Sequence, residues 1–141
     1  MTPADALRTH LLANEAVAAL VSDVWKMRLP QGTTLPALFF QRVGGEIWEH
    51  QGAAAGVASA RYQLSCCAAT YGAARSLADA VREALDGYRG TMGGDGGVTV
   101  LRVHHLGDFD DFVQSPDGRD AGVYMIPVDF EIQFRQSVPT F

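Results

Sequence analysis

The stretch RYQLSCCAATYGAARSLADAVREALDGYRG, residues 61–90, decides the fold, because the spacing of its apolar residues changes from that of a strand to that of a helix within a few residues. Polar and apolar residues alternate over residues 61–68, which is typical of a strand with one face in a core. From Ala74 to Tyr88, apolar residues recur at helical spacing, with Thr70 placed to cap the start and Gly87 the end. The stretch therefore predicts a long strand that leads directly into an amphipathic helix.

Cys66 and Cys67 are the only two cysteines of the chain, and they are adjacent. Redox and zinc motifs separate two cysteines by two residues so that both sulfurs can converge. On a strand, adjacent side chains point to opposite faces, so Cys66 joins the apolar face and Cys67 the polar one. We expect two reduced thiols that serve as small side chains in a cytoplasmic protein.

The residues before this stretch predict helices followed by a long hairpin. Residues 3–21 fit one kinked helix or two short ones, with Thr2 and Asn14 as candidate N-caps. Three elements are expected next: a short strand at 24–28, a loop at 29–36, and a β-hairpin over 37–68 whose glycine-rich end at 52–56 is a flexible tip.

The residues after the helix predict two more strands. We expect a glycine-rich turn at 92–97, a strand at 98–106, a polar loop at 107–122 with a turn at Pro116–Gly118, and a long final strand ending near Phe134. Pro127 lies inside that strand and favours an edge position or a bulge.

This order of elements predicts the α+β class. The sheet is expected to be mostly antiparallel, to contain a long β-hairpin, and to carry the helices packed on one face. The length of 141 residues fits a single domain over residues 1–141.

Composition argues against several functional classes. The formal net charge is −5 and no Lys/Arg cluster is present, so a nucleic-acid interface of the usual basic kind is not expected. The first residues lack the basic and apolar regions of a secretory signal, and no apolar run is long enough for a transmembrane helix. We expect no membrane partner.

No motif for catalysis or cofactor binding is evident. His104, His105 and Asp108 could together hold a metal ion, but the acidic residues after them lack the spacing of an EF-hand loop. A phosphate-binding loop lies between a strand and the start of a helix, and the glycines at 93–97 do not have that arrangement. We expect no catalytic, cofactor-binding or metal-binding residues, with a small metal-dependent enzyme as the alternative.

Two features suggest an interaction surface instead. Ile47 and Trp48 stand in an otherwise polar, glycine-flanked hairpin end, where a tryptophan either packs in a core or anchors a neighbour. Asp129 and Glu131 make the outer face of the last strand acidic, which is either a solvated face or a contact surface.

The whole chain resembles the tail-completion, or tail-terminator, proteins of long-tailed phages and gene transfer agents. Four stretches carry the resemblance in order: TPADALRTHLLANEAVAALV from Thr2, RLPQGTTLPALFFQRVGGE from Arg28, the opening stretch from Arg61, and GVYMIPVDFEIQFR from Gly122. Within the third stretch, a pattern formed by Cys66, Ala68, Thr70 and Tyr71 marks the end of the strand, and the predicted helix that follows contains LADAVR.

The resemblance implies a structural virion protein located in the neck of a phage-like particle and assembled in the bacterial cytoplasm. Such proteins form a hexameric ring that caps the tail tube, ends its growth and joins the head-side connector, while DNA passes through the channel. The implied partners are further copies of the chain, the tail tube protein, the connector or stopper protein, and DNA in transit. The subunit or tube contacts are expected at Gly45, Glu46, Ile47, Trp48, Phe109 and Phe112, and the acidic channel lining at Glu46, Asp129 and Glu131.

Several alternatives remain open from the sequence. The runner-up is another neck component, such as a head-completion or stopper protein, because similar small α+β rings serve there. A monomeric binding module with the same fold is a third possibility beside the metal-dependent enzyme. The source of the particle is a phage, a prophage or a gene transfer agent, and the ring forms either in solution or only on the tube.

Overall fold

The computed structural model describes residues 1–50, 53–114 and 122–135, and of residues 46–50 and 53–55 it describes the backbone alone. The elements are α1 (Pro3–Ala13), α2 (Glu15–Ala18), β1 (Val24–Lys26), β2 (Ala37–His50), β3 (Ala53–Ala68), α3 (Tyr71–Leu85), β4 (Gly90–Met92), β5 (Val98–Asp108), β6 (Asp111–Val113) and β7 (Val123–Arg135). The predicted turn at Pro116–Gly118 lies outside the described residues.

The helices begin at the caps that the sequence predicted. Thr2 and Asp5 form a capping box at the start of α1, and the Asn14 side chain accepts a hydrogen bond from Val17 N at the start of α2. Because Asn14 has an extended backbone, the N-terminal region is two helices rather than one kinked helix. Thr70 caps α3, and Gly87 follows the helix with a φ of 77°, the left-handed conformation that glycine adopts without steric cost.

The strands of the sheet do not follow chain order, and almost all of their pairings are antiparallel, which confirms the predicted α+β class. Its strands lie in the order β1-β2-β3-β7-β5-β4, and β6 pairs with β7 beyond the end of β5. The pairing of β1 with β2 is parallel, and the long hairpin β2–β3 runs from the pair Ala37–Cys67 to the pair His50–Ala53.

The hairpin end differs from the prediction of a flexible tip over 52–56. The backbone of residues 53–56 belongs to β3, although the register shifts between Trp48 and Glu49. Gly56 has a φ of 69° at this register shift, a left-handed conformation that glycine adopts without steric cost, and it forms a local bulge within the strand. Gly52 lies outside the described residues.

The core lies between the helices and one face of the sheet, as predicted. α3 contributes Leu77, Val81 and Leu85, each fully buried, and α1 contributes Leu7 and Leu11. Against them lie alternate residues of the central strands, namely Leu38, Phe40, Tyr62, Leu64, Cys66, Ile126, Val128, Phe130 and Ile132. None of the helices that the structure describes has both the length and the apolar composition needed to cross a membrane.

Pro127 does not lie on an edge strand, so that interpretation was wrong. β7 is central, with β3 on one side and β5 and β6 on the other. The carbonyl of Pro127 accepts a hydrogen bond from Phe109 N (3.3 Å), and residues 109–110 lie between β5 and β6. The proline therefore faces the interruption in the neighbouring pairing, where β7 loses no ladder hydrogen bond through the missing N–H.

The first strand ends earlier than predicted, at Lys26 instead of Arg28. Met27 has a φ of 73°, and the Arg28 N–H donates to the Lys26 carbonyl over 2.9 Å, which makes a γ-turn centred on Met27. This conformation is strained for a residue with a side chain. The turn leaves Met27 at the surface, with 65% of its area exposed.

Candidate assembly surfaces

The two cysteines do not form a chemical site. Both are free and buried, and they lie on opposite faces of β3, with Cys66 paired to Leu38 and Cys67 paired to Ala37. Burial raises the pKa of the Cys67 thiol to about 11, and burial raises that of Cys66 further. Cys67 lies on the face that carries Arg61 and Gln63, as predicted, but it is buried there, with only 3% of it exposed.

The histidine pair diverges. The ring of His104 lies beside Arg102, with 3.5 Å between Nδ1 and the guanidinium, while the ring of His105 packs 5.4 Å from that of the buried Phe130. Successive strand residues face opposite sides, so His104 cannot join His105 and Asp108 around one ion. Among the described residues, no three histidine, cysteine or carboxylate side chains converge as metal ligands.

Arg75 instead organises the charges where α3 meets the end of β5. Its guanidinium lies 3.3 Å from Asp108, 3.3 Å from Asp79 and 3.9 Å from Asp110. The hydrogen bond from Arg75 lowers the pKa of Asp108 below its usual value. His105 Nε2 lies 3.6 Å from the same carboxylate. These contacts fasten the helix to the sheet.

The face of the sheet opposite the helices carries mixed charge. Glu131 on β7 pairs in register with Arg61 on one side and His104 on the other. Asp129 lies two residues away, with one oxygen 4.0 Å from Arg61 and the other buried without a hydrogen-bond partner in the described part of the chain. The predicted acids Asp129 and Glu131 therefore share one surface, which we call the open face, but basic groups accompany them. Ser59, Ser65 and Cys67 on the same face are buried.

Exposed aromatic rings gather at the corner where β6 joins β7. Phe109 and Phe112 are 52% and 43% exposed. The ring of Phe112 lies 4.9 Å from that of Tyr124, which in turn lies 6.3 Å from that of Tyr71. Val113, beside them, is also exposed. This aromatic corner, residues 109–113 with Tyr71 and Tyr124, is a candidate contact surface because contiguous exposed apolar patches mark interaction sites, whereas single exposed apolar residues do not.

The hairpin end carries the other predicted contact residues. The backbones of Glu46, Ile47 and Trp48 pair with Ser59, Ala58 and Val57 of β3. Gly45 has a role within the subunit, because a Cβ at this position would lie 2.6 Å from the Ser59 carbonyl oxygen. The absence of a side chain lets β2 approach β3 after the bulge at Arg42.

The structure does not bring the two sets of predicted contact residues together. Gly45 is level with Ile132 of β7 through Ala60, whereas Phe112 pairs with Tyr124. Eight residues of strand separate Ile132 from Tyr124, about 26 Å. The subunit therefore presents the hairpin end and the aromatic corner at opposite ends of its sheet.

Sequence reasoning missed the exposed groups that border these surfaces. Tyr71 lies outside the apolar stripe of α3, which was a usable signal for an exposed aromatic residue on the first helical turn. Met27 gave no signal, because a methionine next to a predicted strand is most simply assigned to the core. Its exposure follows from the γ-turn, which only the backbone shows.

Comparison with known proteins places the chain among tail proteins. The family model for tail completion protein gp17 matches residues 5–132. Among solved structures, a chain in the virion of a native gene transfer agent particle is similar, with a TM-score of 0.62 and 18% sequence identity over 92% of this chain and 91% of that chain. At this identity the likeness concerns the fold. No curated protein matches the chain.

Proposed function

Because the chain belongs to the family of tail completion protein gp17, it is a structural protein of a phage-type tail, and we propose that it forms the hexameric ring that caps the head-proximal end of the tail tube. The ring ends tube growth and offers a joint to the head-side connector. Membership of the family, over residues 5–132, confirms the resemblance that the sequence motifs indicated and places the protein in the virion.

The observation that carries the proposal is the pair of unlike surfaces at the two ends of the sheet. A terminal ring has to bind two different partners, the last ring of the tube below and the connector above. The hairpin end and the aromatic corner are about 26 Å apart along β7, which lets one subunit contact both partners. The proposal assigns no catalytic step and no cofactor to the chain.

The hairpin end is proposed to reach one of these partners through Glu46, Ile47 and Trp48. Replacing Ile47 and Trp48 by serine tests this, because the exchange removes both apolar side chains and keeps the backbone groups that pair with Ala58 and Val57. We expect the double variant to unfold cooperatively in urea but to leave heads and tails unjoined. Normal tailed particles containing the double variant would remove Ile47 and Trp48 from the joint.

The open face is proposed to line the channel, with Glu46, Asp129 and Glu131 as its acids. Acidic groups keep a polyanion from adhering to the wall, and Arg61 and Arg102 on the same face reduce that repulsion. The double variant Asp129→Asn/Glu131→Gln is expected to assemble and to lower DNA delivery per particle about twofold or more. The matched control, Glu83→Gln/Asp95→Asn, removes the same charge from exposed sites elsewhere and should deliver DNA normally.

The position of the protein in the particle separates this proposal from that of a head-completion or stopper protein. Electron microscopy of particles carrying a labelled copy should place it on the tail side of the head–tail joint. Label on the head side, retained by heads that lack tails, would assign the chain to the stopper instead.

A further inference from the structure

One row of register partners crosses the sheet from β1 to β5. Lys26 of β1 pairs with Phe40, which pairs with Leu64, then Val128, and finally Asp108 of β5. Five strands separated by about 4.8 Å span about 19 Å. Lys26 and Asp108 are therefore level with each other along the strands, at opposite edges of the subunit.

The first of these edges is apolar and basic. Met27 is held outward by its γ-turn and is 65% exposed. Arg28 is exposed beside it and makes no salt bridge with any residue that the structure describes. Lys26 is also exposed but is engaged by Asp5. We call residues 26–28 the basic edge.

The opposite edge is apolar and acidic. Phe109 and Phe112 are exposed there, and Asp110 and Asp111 lie between them in the sequence. Asp110 lies 3.9 Å from Arg75 and is 59% exposed. Asp111 is exposed and forms no salt bridge within the described part of the chain, although one of its oxygens accepts a hydrogen bond from Phe112 N. We call residues 109–112 the acidic edge.

We propose that the basic edge of one subunit packs against the acidic edge of the next copy, so that Met27 meets the phenylalanines and Arg28 faces Asp111. The inference rests on the proposed ring and assigns Phe109, Asp111 and Phe112 to its lateral contact. Tyr71 and Val113, which are also exposed in the aromatic corner, are left for the axial partner. Each edge combines an exposed apolar group with an exposed charge, and the two charges are opposite. A head-to-tail contact of unlike surfaces closes into a ring when the rotation per subunit allows it. Asp111 pairs with Met125, three residues along β7 from Val128, so the acidic edge is offset from the shared row by about 10 Å along the strands. In a flat ring the strands are therefore inclined to the ring axis, so that the two edges meet.

Charge reversal tests the contact with the full-length protein in particles. Arg28→Asp sets two carboxylates against each other at every contact, and Asp111→Arg sets two guanidinium groups against each other. A surface charge contact changes affinity about fivefold, and the effect compounds around a closed ring, so each single variant should lower the yield of tailed particles at least about tenfold. Arg89→Asp, an exposed reversal away from both edges, is the matched control and should leave the yield unchanged.

Co-expression of the two defective variants gives the decisive result. In a ring that alternates Arg28→Asp subunits with Asp111→Arg subunits, every interface again joins opposite charges. At half of the interfaces the two unchanged residues meet, and at the other half the two substituted residues meet. We expect the mixture to raise the yield of tailed particles at least about fivefold above either variant alone, while each purified variant keeps the wild-type urea midpoint. A merely unstable or misfolded subunit would not be rescued by another defective subunit.

The failures are distinguishable. Normal yields from both single variants, or two defective variants that do not rescue each other, would overturn the lateral contact and leave the terminal ring untouched. A strain without the gene that still produces normally tailed particles would overturn the ring itself, whatever the variants show.

Discussion

Replacement of Gly45 by alanine tests how the hairpin is held to the rest of the sheet. An added Cβ would lie 2.6 Å from the Ser59 carbonyl oxygen, 2.5 Å from the Arg42 guanidinium and 3.3 Å from Ala60 Cα. The guanidinium is the end of a flexible side chain and can move. The two backbone atoms belong to β3 and cannot withdraw without disturbing the pairing of β2 with β3.

The expected cost is that of inserting a methyl group into a packed strand pair. Such overpacking lowers the free energy of unfolding by about 1–3 kcal/mol, which corresponds to a fall in melting temperature of about 3–10 °C for a chain of this size. At the neighbouring Gly44, an added Cβ would have no atom within 4 Å. Gly44→Ala should therefore be neutral, or stabilising by up to about 1 kcal/mol because it restricts the unfolded chain.

Urea unfolding followed by far-UV circular dichroism compares the two variants directly. We expect a lower midpoint for Gly45→Ala and an unchanged slope for both. Stabilities of the two variants that agree within about 0.5 kcal/mol would refute the close approach of β2 to β3 at Gly45. A destabilised Gly45→Ala protein would also mean that a loss of assembly in this variant does not identify Gly45 as a contact residue.

Three further predictions concern the body of the subunit. Met27→Gly should raise the free energy of unfolding by about 1 kcal/mol, because relief of the left-handed strain exceeds the added backbone entropy; a lower urea midpoint would contradict the γ-turn. Arg75→Gln should cost less than about 1 kcal/mol at pH 7. Since Arg75 lowers the pKa of Asp108 in the folded state, the pair adds its full contribution to the free energy of unfolding above the usual carboxyl pKa near 3.8 and loses it as the pH falls below that value. A stability difference between Arg75→Gln and the wild type that instead grew in acid would exclude the pairing. Burial and the pKa of about 11 for Cys67 predict that neither it nor Cys66 reacts with a disulfide reagent at pH 8 until urea unfolds the protein; rapid labelling of the native protein would show that the thiols are accessible.

The parts of the fold that depend on local patterns were predictable from the sequence. Thr2, Asn14 and Thr70 cap helices because their side-chain oxygens satisfy free N–H groups at fixed offsets. The alternation before Thr70 and the apolar stripe after it describe β3 and α3, since each period matches one geometry. These features identified the α+β class and the hairpin.

The parts that depend on distant neighbours were not predictable. β4 and β6 have three residues each, and they are strands because β5 and β7 offer them a pairing edge. Pro127 is tolerated in a central strand because the neighbouring pairing is interrupted between β5 and β6.

The same distinction applies to the candidate surfaces. Asp129 and Glu131 share a face because of the period of two along β7, which the sequence shows. Their pairing with Arg61 and His104 depends on the registers of β3 and β5, and no local pattern contains those. The basic edge was missed for a related reason, because the exposure of Met27 arises from a single backbone conformation.

The central claim is that this protein ends the tail tube and provides its joint to the head. Electron microscopy of particles from a strain that lacks the gene, with the gene restored on a plasmid as the control, tests it most directly. The proposal predicts filled heads without tails beside detached tails that are overlong or unjoined, and normal particles after complementation. Normally tailed particles in the strain without the gene would contradict it.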